Sequence, residues 1–132
     1  MKINQSHLTR LTSLNVSLVY LFGSFAEGKN SPLSDIDIGI VFTDNHFPAT
    51  DSSGIYNELY FIFTDVFTGK SIDIVFLENA GLELKFDVVK HGKNIFCISE
   101  TEKYRFEDDV TMMYMDFKPI LNEFNQAILQ RF

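Results

Sequence analysis

The feature that most constrains the fold of this chain is an apolar segment over residues 16–22. It reads Val-Ser-Leu-Val-Tyr-Leu-Phe, is apolar on both faces, and ends at Gly23 and Ser24. A strand with two apolar faces must be covered on both sides, because either face left in water would expose its hydrophobic side chains. The segment therefore predicts a buried central strand, with the rest of the domain built around it.

The periodicity of the remaining sequence predicts a small α/β fold. Residues 35–42 and 71–77 alternate apolar side chains with others and are predicted as two more strands. Residues 94–98 are apolar but too short to assign as helix or strand. Helical spacing predicts helices over 3–14, 52–68 and 80–91 and a helical tail over about 102–132, which Pro119 should divide into two segments. We therefore expect a sheet of at least three strands flanked by helices.

Length and charge restrict the domain count and the partners. The 132 residues are enough for a single domain, 1–132. The 18 Asp and Glu residues outnumber the 11 Lys and Arg residues, so the net charge is −7. A basic face for nucleic acid or for an anionic membrane is therefore not expected. No apolar run reaches the roughly 18 residues of a membrane helix, and Cys97 is the single cysteine, so a cytoplasmic protein is predicted.

Three carboxylates stand out because they lie in otherwise apolar strands. Asp35 and Asp37 are two residues apart and leave the same face of their strand, while Asp73 has the same Ile-Asp-Ile surroundings as Asp37. If the two strands are neighbours, the carboxylates converge, and a divalent cation would relieve their repulsion. Hard oxygen ligands favour Mg²⁺ or Mn²⁺. The alternative is a solvated strand edge or a turn for the pair and a strand start for Asp73.

A second candidate feature is the Gly23-Ser24 pair at the end of the first strand. Glycine lets the backbone approach a ligand closely, and free N–H groups at a helix start, together with the Ser24 hydroxyl, bind terminal phosphates. The alternative is a plain turn in which Ser24 caps a helix. Beside three carboxylates, the phosphate cradle is the better interpretation, and it needs no cluster of Lys and Arg.

These residues resemble a known signature. Gly23-Ser24, ten residues, and then Asp35-Ile36-Asp37 is similar to the motif of the DNA polymerase β-like nucleotidyltransferase superfamily. The run from Gly23 to Gly28 and from Ser34 to Val41 resembles the minimal nucleotidyltransferases, the antitoxin partners of HEPN toxins. The resemblance covers nearly the whole chain, and Asp73 falls where the family has its third carboxylate. It implies a nucleotidyltransferase fold with C-terminal helices.

The resemblance also implies an activity: transfer of AMP from ATP to a tyrosine hydroxyl of a cognate HEPN toxin, an RNase that is thereby neutralised. In the family scheme Asp35 and Asp37 ligate two Mg²⁺ ions, and Asp73 completes the site that activates the attacking hydroxyl. Gly23 and Ser24 hold the β- and γ-phosphates. The expected cofactor is Mg²⁺, with Mn²⁺ as a substitute, and the expected substrate is ATP.

One departure from the family keeps two other functions open. Glu27 stands where many relatives have Arg, and it adds negative charge near the expected phosphates. Together with a Met-rich acidic tail, this is compatible with an antitoxin that acts mainly by non-catalytic binding. An adenylyltransferase for a small-molecule hydroxyl is a further alternative, although the chain is short for a substrate domain.

Overall fold

The structure, a computed structural model, describes residues 3–23, 35–44, 46–48 and 52–129. The elements in order are α1 (Gln5–Ser13), β1 (Val16–Phe22), β2 (Ile36–Phe42), α2 (Ser52–Val66), β3 (Ile72–Phe76), a 3₁₀ helix (Leu77–Asn79), α3 (Leu82–His91), β4 (Lys93–Cys97) and α4 (Glu100–Leu129). The four strands form one sheet in the order β3-β2-β1-β4. The pairing of β2 with β3 is parallel and the other two pairings are antiparallel. The predicted α/β class is confirmed, and the unassigned stretch near residue 95 is the fourth strand.

The central strand is β1, as its sequence predicts. All seven of its residues are buried, because β2 and β4 lie on its two edges and helices cover its two faces. One core packs the sheet against α1 and α2 and includes Leu11, Ile38 and Phe63. The other core lies on the opposite face and includes Tyr20 and Val88. The two-sided burial accounts for the absence of alternation in this strand.

The strands β2 and β3 separate their side chains between the two faces. Ile36, Ile38 and Ile40 belong to the core beneath α1 and α2. Val41 belongs to the core beneath α3 and α4. Asp37 lies four residues before Val41 and therefore shares its face. The carboxylates thus stand on the α3 and α4 side of the sheet, at the ends where β2 and β3 begin.

The C-terminal tail differs from its prediction. The structure has one helix, α4, which begins at Glu100 and runs through Pro119 to Leu129, so the prediction of two segments is wrong. Proline removes the N–H that would bond to the carbonyl of Met115. Met115 is exposed, so water can bond to that carbonyl and the helix continues. None of the helices in the described part of the chain is both long and apolar enough to cross a membrane.

A buried histidine holds α1 against α2. His7 is only 5% exposed. Its Nδ1 accepts the backbone N–H of Asn4 at 3.1 Å, and its Nε2 lies 2.6 Å from Oδ2 of Asp65. Because Nδ1 accepts a hydrogen bond, the Nε2 proton is the one directed at Asp65. His7 therefore has a structural role in joining the two helices.

Replacing Gly92 by alanine tests the close packing between α3 and β1. A Cβ at this position would overlap the carbonyl oxygen of Val88 and lie 2.9 Å from that of Leu21. We expect Gly92→Ala to lower the free energy of unfolding by about 1–3 kcal/mol, the usual cost of overpacking. Gly81→Ala is the matched control, because a Cβ there meets nothing within 4 Å. Equal urea midpoints for the two variants would show that this packing is loose.

Candidate metal and nucleotide site

The sheet brings the predicted carboxylates to one edge. Asp37 of β2 is directly in register with Asp73 of β3, and on its other side it pairs with Phe22 at the end of β1. The N–H of Ile36 donates to the carbonyl of Ser71 at 2.9 Å, which fixes the starts of β2 and β3 side by side. Residues that are 36 positions apart in sequence therefore lie on adjacent strands. The condition on which the carboxylates were expected to converge, that these two strands are neighbours, is met.

The electrostatics of the edge show that Asp35 and Asp73 act on the carboxyl group of Asp37. Asp35 and Asp73 are exposed and Asp37 is half-buried. Burial raises the pKa of Asp37 above its ordinary value, and the negative charges of Asp73 and Asp35 raise it further. A like charge opposes ionisation only when it is close and poorly screened. Negative charge is therefore concentrated around Asp37, and a cation bound there would reduce the repulsion between the carboxylates.

Gly23 lies against this centre. Its φ is +74°, in the left-handed region that favours glycine. A Cβ on Gly23 would overlap Oδ2 of Asp37. The glycine therefore both adopts the left-handed conformation at the end of β1 and leaves room for the carboxylate. Ser24, the second residue of the predicted phosphate cradle, and Glu27 lie outside the described residues.

The donor set suits a hard divalent cation, although it is not a closed cage. Within the residues that the structure describes, no three His, Cys, Asp or Glu side chains form a group that could hold a metal ion by themselves. Mg²⁺ is usually bound by one or two carboxylates together with substrate phosphates and water. An edge with Asp37 and Asp73 in register fits that kind of site. Nucleotide oxygens would then supply the remaining ligands.

Comparison with known families agrees with this geometry. The model of the family described as "Polymerase beta, Nucleotidyltransferase" matches residues 7–101. This range includes all four strands, Gly23 and the three carboxylates. The chain belongs to the polymerase β nucleotidyltransferase family, and the resemblance of its motifs to that superfamily is confirmed. Among curated proteins, none matches the chain.

Solved structures share the fold over nearly the full length. A chain of a toxin–antitoxin complex with AMP-PNP is 22% identical with a TM-score of 0.70, and 96% of this chain covers 99% of that one. A second complex carries two aspartates, two residues apart, replaced by glutamate; its chain is 22% identical with a TM-score of 0.69 and the same coverage. A third contains a tri-AMPylated HEPN toxin of Shewanella oneidensis with an MNT antitoxin, at 20% identity, a TM-score of 0.64 and again the same coverage. At these identities the likeness shows the fold.

Proposed function

We propose that this chain is a Mg²⁺-dependent nucleotidyltransferase that transfers AMP from ATP to a tyrosine hydroxyl of a cognate HEPN toxin and so neutralises it. The observation that carries the proposal is the register pairing of Asp37 with Asp73 at the edge where Gly23 meets Asp37. Membership of the nucleotidyltransferase family supports the reaction type. The toxin and the AMP group are supported by the solved complexes, one with AMP-PNP and one with a tri-AMPylated HEPN toxin.

We assign the residues as follows. Asp35 and Asp37 hold two Mg²⁺ ions and Asp73 completes the metal site, while Gly23 and Ser24 bind the β- and γ-phosphates. When bound, the ions neutralise charge on the phosphates and lower the pKa of the attacking hydroxyl. Half-burial of Asp37 suits this role, because a partly desolvated carboxylate binds a cation more strongly than one in water.

The transfer itself is a substitution at phosphorus. The tyrosine oxygen bonds to the α-phosphorus, the bond from that phosphorus to the bridging oxygen breaks, pyrophosphate leaves, and the hydroxyl proton is released. The protein positions the reactants and stabilises charge, as in other phosphoryl transfers. Gly23 admits close backbone approach beside the carboxylate of Asp37. No cluster of cationic side chains is needed in a chain whose net charge is −7.

The proposal is tested by incubating the chain with ATP labelled in its α-phosphate, Mg²⁺ and the product of the neighbouring gene. We expect label on a tyrosine of that protein, and none when EDTA is added. Asp73→Asn should reduce the labelling rate by at least about tenfold, since a ligand that orients the reaction is lost. An unlabelled partner, or full labelling by the variant, would contradict the proposal.

A non-catalytic antitoxin is the second candidate, because α4 exposes a run of methionines. Met112, Met113 and Met115 are each about half exposed or more, and methionine-rich surfaces adapt readily to partners. Expression of Asp35→Ala/Asp37→Ala with the toxin separates the two functions. If the double variant still protects the cells, neutralisation proceeds by binding alone. If protection is lost while the complex still forms, the enzymatic function accounts for it.

A further inference from the structure

The second half of α4 carries an apolar face that nothing in the described structure covers. Four residues, Met113, Phe117, Ile120 and Phe124, follow one another at steps of four, three and four, so they lie on one side of the helix. Their exposed fractions range from 37% to 63%. We name these four residues the α4 seam. Soluble proteins seldom leave such a contiguous apolar surface in water unless it binds a partner.

The seam continues a stripe that the protein itself buries. In the first half of α4 the same spacing places Phe106 and Val110, and Val110 is only 2% exposed. The ring of Phe106 packs on that of Tyr20 in β1, with 6.0 Å between centroids. The stacked rings of Phe86 and Tyr114, 4.0 Å apart, form a contact between α3 and α4. The apolar side of α4 is therefore packed against the core in the first half of the helix and exposed in the second half.

The uncovered part of the helix needs support to be stable. Isolated helices shorter than about 12–15 residues are marginal in water, and an interior proline weakens them further. The helix beyond Tyr114 contains Pro119, and residues 115–127 are exposed apart from the half-buried Leu121. A partner packed on the seam would supply the missing tertiary contacts.

The acidic residues beside the seam indicate what kind of partner surface would fit it. Asp109, Asp116 and Glu123 are exposed and recur every seven residues, so they form an acidic row along one edge of the seam. The edge across the seam carries Tyr114, Leu121 and Asn125. The matching surface is an apolar groove with cations along one side.

The α4 seam of a second copy, packed against this one, does not offer that surface. Lys118 is the single cation in the sequence between residues 106 and 127. Two copies, each with a net charge of −7, would also repel one another. A ribonuclease has cationic surface because it handles RNA. On the basis of the proposed function, we infer that the α4 seam docks into a cation-edged apolar groove of the HEPN toxin.

The inference is tested by titration calorimetry of the chain with its cognate HEPN toxin, without ATP. Ile120→Glu/Phe124→Glu places two charges in the seam without touching the core. We expect its affinity to fall by at least about 100-fold, since buried apolar anchors dominate such interfaces. Asn122→Glu/Gln126→Glu adds the same charges on the opposite side of the helix and should bind within about threefold of the wild type.

The result separates this inference from the proposed function. Wild-type binding with the seam variant unaffected overturns the inference and leaves the proposed function standing. A wild type that does not bind the HEPN protein contradicts both. A second copy as the occupant would appear as a dimer of the chain alone that the seam variant converts to a monomer, and this outcome also overturns the inference. A normal melting temperature for the seam variant shows that any lost binding is not a loss of fold.

Discussion

Replacing Asp37 by asparagine is expected to reduce nucleotidyl transfer by a factor of about 10²–10³ without weakening the fold. The loss corresponds to the several kcal/mol that metal-bound charge stabilisation contributes to such reactions. The substituted amide keeps the shape of the side chain but is a poor ligand for Mg²⁺. Asp37 is the carboxylate in register with Asp73 and against Gly23, so its loss removes the centre of the proposed site.

The stability of the same variant is expected to equal or exceed that of the wild type at neutral pH without metal. Burial, Asp73 and Asp35 raise the pKa of Asp37 in the folded state. Ionisation of a carboxyl with a raised folded-state pKa weakens the fold, so wild-type stability should fall as pH rises from about 4 through the raised value. The neutral amide of Asp37→Asn should remove this fall. Urea unfolding of both proteins across that pH range measures the free energy of unfolding and shows whether the fall is present.

Glu58→Gln is the matched control for Asp37→Asn. Glu58 is an exposed carboxylate on α2, which packs on the other face of the sheet. Its replacement should change neither transfer nor the pH dependence of stability. Transfer by Asp37→Asn at the rate of Glu58→Gln would show that the carboxylate edge is not the reactive site.

Replacing Gly23 by alanine is expected to have the next largest effect. The substitution has two effects. A φ of +74° is strained for a residue with a side chain, and the added Cβ overlaps Oδ2 of Asp37. The first effect should cost about 1–2 kcal/mol of folding stability. The second should displace the carboxylate and reduce transfer by about 100-fold, since an error of about 1 Å in a reacting group has that consequence.

Gly69→Ala separates the two effects. Gly69 has a similar φ of +81°, but a Cβ there meets nothing within 4 Å. It should therefore lose a similar amount of stability in urea unfolding and retain full transfer activity. Equal transfer rates for Gly23→Ala and Gly69→Ala would show that the contact between Gly23 and Asp37 has no catalytic consequence.

Much of the architecture was predictable from local patterns. The unbroken apolar run of β1 predicted a central strand. The carboxylates of Asp37 and Asp73 were expected to converge on condition that their strands are neighbours, and the structure pairs those strands. These patterns are informative because an apolar strand has few ways to avoid water. Carboxylates that lie close together also repel one another unless a cation neutralises them. The Gly23-Ser24 pair marked the end of the first strand in the sequence, and Gly23 has a φ in the left-handed region that favours glycine.

Contacts between distant residues were not predictable in this way. The hydroxyl of Tyr20 donates to Glu107 at 2.7 Å across 87 positions, and burial together with this bond raises the pKa of Tyr20. His7 and Asp65 are similarly far apart. No periodicity encodes such pairs, since each depends on how α1 and α4 pack on the sheet. The continuity of α4 through Pro119 was also missed, because it depends on the exposure of Met115.

Binding of Mn²⁺ in the presence of a non-hydrolysable ATP analogue tests the central claim, that the edge formed by β2 and β3 is a metal and nucleotide site. Electron paramagnetic resonance of the free ion gives the affinity and the number of ions bound. We expect saturable binding of two ions by the wild type, lost or weakened at least about tenfold in Asp37→Asn and unchanged in Glu58→Gln. Equal Mn²⁺ binding by wild type and Asp37→Asn would contradict the central claim.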